Sequence, residues 1–437
     1  MTSSVCGDEL MRTNGKKKRK LKVLDTFAGA GGFSLGFHLA GLEVVGGIET
    51  DAWACSTFEH NHPDAKVIKT DIEKLSDNEI KAEYSAEYRP DILLGGPPCQ
   101  GFSVCRKESG DPHDPRNSLF MEFVRVADLL KPSMVVMENV PNLIKANTKD
   151  KKPVVEVICS ELGALGYNVD FKILDATGFG VPQIRRRLFV VGTKGVSSSL
   201  FPSRTHYCPW AETPGLFDSH LKPCPTLWDA ISDLPKLAAR EGAEESDYDQ
   251  EPRNDFQRYL RGQSKILFNH KAMNHSPRMV ERFKSMKPGE SVSDVPDELK
   301  PFRRNSNGAV LGTSYDQNNR RMKPNQPCHT IPASFYANFV HPYQHRNFTA
   351  REGARLQTFP DWYRFLGKPT VVSHKLLARE GRDEEKFLCQ YSQIGNAVPP
   401  MLAKALAEHL IGQLTGTIDE GSWRQFKSEG KLAEQVL

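Results

Sequence analysis

Residues 22–35, KVLDTFAGAGGFSL, decide the fold of this chain. Lys22–Asp25 reads as a short apolar β-strand, and Phe33–Ala40 as a helix stopped by Gly41. Between them lies a turn built on Gly29, Gly31 and Gly32. Strand, glycine turn and helix in that order make the first half of a parallel βαβ unit. Glycines at such a turn let backbone approach a ligand at the strand's carboxyl end. The strict G-x-G-x-x-G dinucleotide fingerprint fails, because Ser34 stands where the third glycine should be. A nicotinamide oxidoreductase, which needs that phosphate-binding geometry, is disfavoured.

Working outward, further strands are expected at Glu43–Glu49, Ala65–Lys69, Ile92–Gly95, Met134–Glu138, Asn168–Leu174 and Leu188–Gly192. Helices are expected at Ser118–Leu130, ended before Pro132, and at Val154–Leu165, ended by Gly166. The alternation predicts one seven-stranded, mostly parallel, doubly wound α/β sheet. Residues 197–345 are rich in Pro, Ser, Asn, His and Arg and lose the βα alternation, which marks a second domain or a very large insertion. Thr349–Phe359 is helix-like again. Val398–Leu410 is a helix with Pro399 and Pro400 in its first turn and Leu402, Leu406 and Leu410 on one face. The expected division is a basic tail at 1–20, a catalytic domain at 21–195, a smaller irregular domain at 196–346, a return to the first domain at 347–415 and a tail at 416–437.

Four further features carry chemistry. Glu49 ends the second strand, where an acid can accept both hydroxyls of a ribose, and Asp71 follows the third, where it can accept from an adenine amino group. A glycine turn with two such acids favours a nucleoside ligand without a pyrophosphate. Residues 95–103, GGPPCQGFS, follow the fourth strand and put Cys99 on a proline-stiffened loop at the sheet's carboxyl edge. A free thiol of pKa roughly 8.5 needs a lowered pKa or a base to react well. Glu138 ends the apolar fifth strand, where desolvation should raise its pKa and let it hold a proton near neutrality. Residues 183–187, QIRRR, lead into the seventh strand, and alternation puts Arg185 and Arg187 on one face.

Bulk properties bound the partners. The 437 residues carry a formal net charge of +4, but its distribution is uneven. Residues 212–249 hold nine acidic against three basic residues, whereas 253–346 hold sixteen basic against seven acidic. A polyanion is the natural partner of the second stretch. The nine cysteines show no C-x-x-C pair, which leaves a structural zinc without ligands and points to reduced thiols in a reducing compartment. No apolar run approaches the length of a membrane span, and the basic cluster Lys16–Lys20 is followed by no signal-peptide core.

In their order, these segments resemble the cytosine-5 DNA methyltransferase family: Asp25–Phe37, Glu49, Asp71, 95–103, Glu138–Val140, Gln183–Arg187, residues 355–360 (RLQTFP) and residues 393–399 (QIGNAVP). The likeness covers residues 21–193 and 348–412 and leaves the middle uncovered. It implies a Rossmann-like S-adenosylmethionine-dependent fold with a target-recognition domain between the arginine motif and Arg355. It implies catalytic roles for Cys99, as nucleophile at C6 of cytosine, for Glu138 at N3 and the exocyclic amine, for Arg187 at the base carbonyl, and for Arg185 as a support. The donor would be held by Phe27, Ala28, Gly29, Gly31, Glu49, Thr50, Asp71, Ile72, Pro97, Asn396 and Val398, with no metal. Many members carry tryptophan where this chain has Thr50. Implied DNA contacts are Gln100, Ser103 and Arg116, in the loop resembling the segment that closes over flipped DNA, and Arg303, Arg304, Arg320 and Arg321 of the basic stretch. The base must leave the stack to meet Cys99, because stacking covers both its faces. The partner expected is double-stranded DNA, bound by a monomer at the nucleoid of a prokaryotic cytoplasm, or in the nucleus if the source is eukaryotic, with a cognate restriction endonuclease acting on the same site without a stable complex.

Two rivals remain. A tRNA cytosine-5 methyltransferase usually has a short middle segment and a different tripeptide after its Pro-Pro-Cys-Gln, so the long basic region and Gly101–Ser103 favour DNA. A catalytically dead DNA-binding subunit would have lost at least one of Cys99, Glu138, Arg185 and Arg187, and all four are present.

Overall fold

Apolar strands bounded by glycine and proline assemble into one sheet. The computed structural model describes residues 19–98, 119–148, 151–195, 199–211, 213, 218–302, 319–370, 374–382 and 387–415. In chain order the first region runs β1 (Lys22–Thr26), α1 (Gly32–Leu39), β2 (Glu43–Glu49), α2 (Ala52–Asn61), β3 (Lys66–Lys69), α3 (Asp77–Glu83) and β4 (Ile92–Gly95). It continues through α4 (Leu119–Leu130), β5 (Met134–Asn139), α5 (Val154–Ala164), β6 (Asn168–Asp175) and β7 (Arg186–Thr193). All seven expected strands are present, in the order β3-β2-β1-β4-β5-β7-β6. Strand β7 runs antiparallel to both β5 and β6, while the other neighbours are parallel. The β6–β7 link is too short for a helical crossover, so the chain can only turn back on itself there.

Alternation along the central strands divides the core. Val23, Ile92, Leu94, Met134 and Val136 face α1 and the Pro400–Thr415 helix, whose Leu402, Leu406 and Leu410 fill that side. Leu24, Leu93, Val135 and Met137 face α4 and α5, represented by Phe123, Val126, Ile158 and Leu162. The last helix begins at Pro400, one residue beyond Pro399, whose carbonyl accepts from Ala403 N–H at 3.0 Å. Pattern reading passed over α2 and α3, although each carries its start signal. Asp51 caps α2 by accepting from Trp53 and Ala54 N–H, and Ser76 and Glu79 form a capping box on α3.

The middle of the chain is made of short helices and two-stranded ladders, such as Gly242–Asp247 against Ile266–Lys271. A third core joins it to the first region: Leu227, Ile231, Phe335, Phe348, Leu356, Phe359, Tyr363 and Ile394 pack with Leu35 of α1. It is stitched by buried charge. Arg355 donates to both carboxylate oxygens of Asp361, at 2.9 and 2.6 Å, and to Asp233, while Arg346 pairs with Glu352 at 2.7 Å.

Candidate active site at the carboxyl edge of the sheet

The glycine turn sits where β1 ends. Phe27 has φ of 60°, a left-handed conformation uncommon outside glycine, and lies partly buried beside Ile68 and Ile72. Gly29 also has positive φ, and a Cβ built on it would meet nothing within 4 Å, so the turn opens onto free space. Gly32 is the opposite case, for its Cβ would lie 2.7 Å from the Val398 carbonyl oxygen. That contact brings the final motif against the first. Val398 is buried, and Asn396, ending the Gln390–Asn396 helix, is exposed nearby in sequence.

The two acids behave differently. Glu49 accepts from Gly29 N–H at 2.7 Å and from Thr50 and Asp51 N–H at 2.8 Å each, so it is fixed against the turn. Burial raises its pKa, and those three backbone donors oppose the rise. Asp71 accepts from Glu73 N–H at 3.1 Å and begins a single 3-10 turn that carries buried Ile72. Thr50 is exposed. Beneath the turn, Asp25 is wholly buried and accepts from the Ser34 hydroxyl at 2.6 Å, while its other oxygen has no partner. Burial pushes its pKa up to about 7. Open space over Gly29, a fixed acid at β2 and an apolar wall at Phe27 and Ile72 fit a nucleoside-bearing donor.

The residues expected to be catalytic lie on or beside β4, β5 and β7. Asn139 donates to the Pro97 carbonyl at 3.0 Å, holding the segment that leads to Cys99. A Cβ on Gly96 would lie 3.6 Å from Oε2 of Glu138, so that carboxyl flanks the same segment. Arg187 Nε sits 2.8 Å from Glu138 Oε1, with both side chains mostly buried. Burial raises the Glu138 pKa, the Arg187 and Arg185 charges oppose it, and the net direction is upward. A carboxyl that favours its proton can donate to a ring nitrogen.

Arg185 is fully buried and donates to the carbonyls of Ile331, Gly395 and Ala397 at 3.1, 3.0 and 2.9 Å. It therefore ties the arginine motif both to the middle region and to the final motif. Gln183 works beside it: its Oε1 accepts from Ile331 N–H at 2.8 Å, and its Nε2 donates to Gln357 Oε1 at 2.9 Å. The roles of Gln183, Gln357 and Asn139 were not read from the sequence; a buried amide's partners are set by distant loops. One expectation needs correcting. Arg321 is interior, and its guanidinium donates to the carbonyls of His341, Pro342, Gln344 and Phe283, which leaves it holding loops together rather than facing DNA. Arg320, beside it, is half-buried. Cys99, Gln100, Ser103, Arg116, Arg303 and Arg304 lie outside the described residues.

Known proteins resemble this chain in sequence and fold. Residues 21–412 match the family model for C-5 cytosine-specific DNA methylases. The chain is 43% identical to the Type II methyltransferase M.DdeI of Desulfomicrobium norvegicum, covering 95% of this chain and 97% of that one. It is 34% identical to the Type II methyltransferase M1.HphI of Haemophilus parahaemolyticus, covering 90% and 87%. A crystal structure of an E. coli prophage-encoded protein, described as a DNA modification methyltransferase, superposes with a TM-score of 0.66 at 26% identity, over 91% of this chain and 100% of that one. The chain thus belongs to the C-5 cytosine-specific DNA methylase family and is a DNA (cytosine-5)-methyltransferase that uses S-adenosylmethionine.

Proposed function

We propose that this chain methylates C5 of a cytosine flipped out of one specific duplex sequence, through a covalent bond from Cys99 to C6. The observation that carries this reading is the Glu138–Arg187 pair, held at 2.8 Å beside the segment that leads directly to Cys99. Cytosine is a poor electrophile, so a soft nucleophile and electron withdrawal at N3 must act together.

Cys99 adds as thiolate to C6, and the electrons of the C5–C6 double bond move onto C5. Glu138, whose pKa burial moves upward, shares a proton with N3 and stabilises the charge that develops in the ring. Arg187 orients Glu138 and holds the base carbonyl, and Arg185 supports the pocket by tying its strand to the Ile331, Gly395 and Ala397 carbonyls. Bound S-adenosylmethionine supplies an electrophilic methyl group on a sulfonium sulfur. Phe27, Glu49, Asp71 and Ile72 would hold its nucleoside, with Ala28, Gly29, Gly31, Thr50, Pro97, Asn396 and Val398 around it. Once C5 is methylated, loss of the C5 proton to a base restores the double bond and expels Cys99.

The relatives named above are bacterial Type II methyltransferases, which supports a modification enzyme of a bacterial cytoplasm; in this reading it works as a monomer, and an endonuclease of the same specificity acts on the same site. Among the described residues no helix is long and apolar enough to cross a membrane. Residues 196–346 serve in this reading as the target-recognition domain. Bisulfite sequencing of DNA from a methylation-deficient host expressing the chain should reveal 5-methylcytosine at one recurring sequence. Methylation of tRNA but not of duplex DNA, with both offered side by side, would overturn the reading.

A further inference from the structure

Residues 328–330 of the middle region are clamped to the strand that brings in Arg185 and Arg187. Ile184 N–H donates to the Cys328 carbonyl at 2.8 Å, Cys328 N–H to the Pro182 carbonyl at 2.9 Å, and the Thr330 hydroxyl to the Ile184 carbonyl at 2.7 Å. His329 sits between these anchors and keeps part of its surface in solvent. Cys328 also touches Met322, sulfur to sulfur at 3.9 Å, which brings the Arg320–Lys323 segment alongside. Lys323 is exposed, and its stem lies across Gly289, where a Cβ would come within 2.8 Å of Lys323 Cε. The two segments thus run side by side next to the arginine motif, with Arg320 and Lys323 near enough to His329 for their charges to act on it.

We propose that Arg320, Lys323 and His329 form one site for a backbone phosphate of the bound duplex, and that His329 takes up a proton when the phosphate arrives. The inference rests on the DNA reading above and adds a linkage to it. In the free protein His329 titrates below its ordinary value, through partial burial and the neighbouring Arg320 and Lys323 cations. Among the described residues, the Asp294 carboxylate is the acid that feels Arg320, and it feels Lys300 as well. Arg185, on the adjoining strand, is committed to three carbonyls. A phosphodiester is anionic at every pH of interest. Placed among these groups it offsets the two cations and favours the imidazolium, a change of about 1–3 pKa units for an opposite charge at contact. Binding must then tighten as pH falls through the range of the bound histidine.

The test is fluorescence anisotropy with a labelled duplex of mixed sequence, read from about pH 6 to about pH 8. The wild type should bind roughly 3–10-fold tighter at the acid end than H329Q's own pH ratio explains. H329K, with a fixed charge, should bind tightly across the range and lose the pH dependence. K323Q should lower the slope of log Kd against log salt by about 1. The same pH ratio in the wild type and H329Q would overturn the linkage while leaving the DNA reading intact. Failure of the wild type to bind duplex at all would overturn both.

Discussion

Two buried clusters of arginine and carboxylate lie in this molecule, and they have opposite chemistry. At the carboxyl edge of the sheet, Glu138 meets a single guanidinium contact from Arg187, and burial wins: its pKa rises. In the third core, Asp361 accepts from Arg355 twice and from the Tyr248 hydroxyl at 2.7 Å, and pairing wins: its pKa falls. The first pair is mostly buried and the second fully so. The number of donors decides the sign, because each donor to the charged form offsets part of the desolvation cost. One cluster is left able to exchange a proton, and the other is locked in its charges. The proposed chemistry sits at the first, and the joint between the regions at the second.

The contrast can be broken from either end. At the active edge, Glu138→Gln should slow methyl transfer by roughly 10²–10⁴-fold, with little change in donor affinity measured by calorimetry. Unchanged turnover would remove Glu138 from the chemistry. At the locked joint, Arg355→Met leaves Asp233 and Asp361 buried without their main cation and should cost about 3–5 kcal/mol in urea unfolding. A loss below about 1 kcal/mol would show that the pairs are no better than surface ones.

The difference should also appear in stability against pH. Glu352 belongs to the locked type, with a pKa lowered from 4.5 to about 2, chiefly by Arg346 against burial. Its contribution is present above 4.5 and is lost as pH falls toward 2. His270, His275 and His341, buried and neutral, are depressed from 6.5 to about 4, 4 and 3, so they too lose stability as pH falls below 6.5. Thermal melts should therefore drop in two stages on acidification, first with the histidines and then with the carboxylate. Glu138 has the opposite sign. Its raised pKa makes the ionised form a burden that grows with pH, so Glu138→Gln should raise Tm more at alkaline than at acid pH. An equal Tm change at both would contradict its proton-holding role.

The sheet was legible because each strand is a short apolar run bounded by a breaker, and periodicity reports burial directly. Helices α2 and α3 were passed over because their apolar pattern is weak, even though Asp51 and the Ser76–Glu79 box announce them. The placement of Glu49 and Glu138 at strand ends was legible for the same topological reason, and carboxyl edges are where ligands of open sheets bind. What stayed hidden is long-range. Arg321 and Arg320 are adjacent in a basic run, yet only the first turns inward to carbonyls separated from it by up to thirty-eight positions in the chain. Gln183 meets Gln357 at a separation of 174 positions, which no local pattern can foresee.

The central claim is that one thiol bonds transiently to an extruded cytosine, and a mechanism-based trap tests it most directly. A duplex carrying 5-fluorocytosine at the target has no C5 proton to lose, so the adduct with methylated C5 cannot resolve. Incubated with donor and then denatured, the wild type should remain attached to DNA, with the nucleotide mapped to the Cys99 peptide, and Cys99→Ser should release it. Absence of any denaturation-resistant adduct at the mapped target, or an adduct that survives the Cys99→Ser change, would contradict the account.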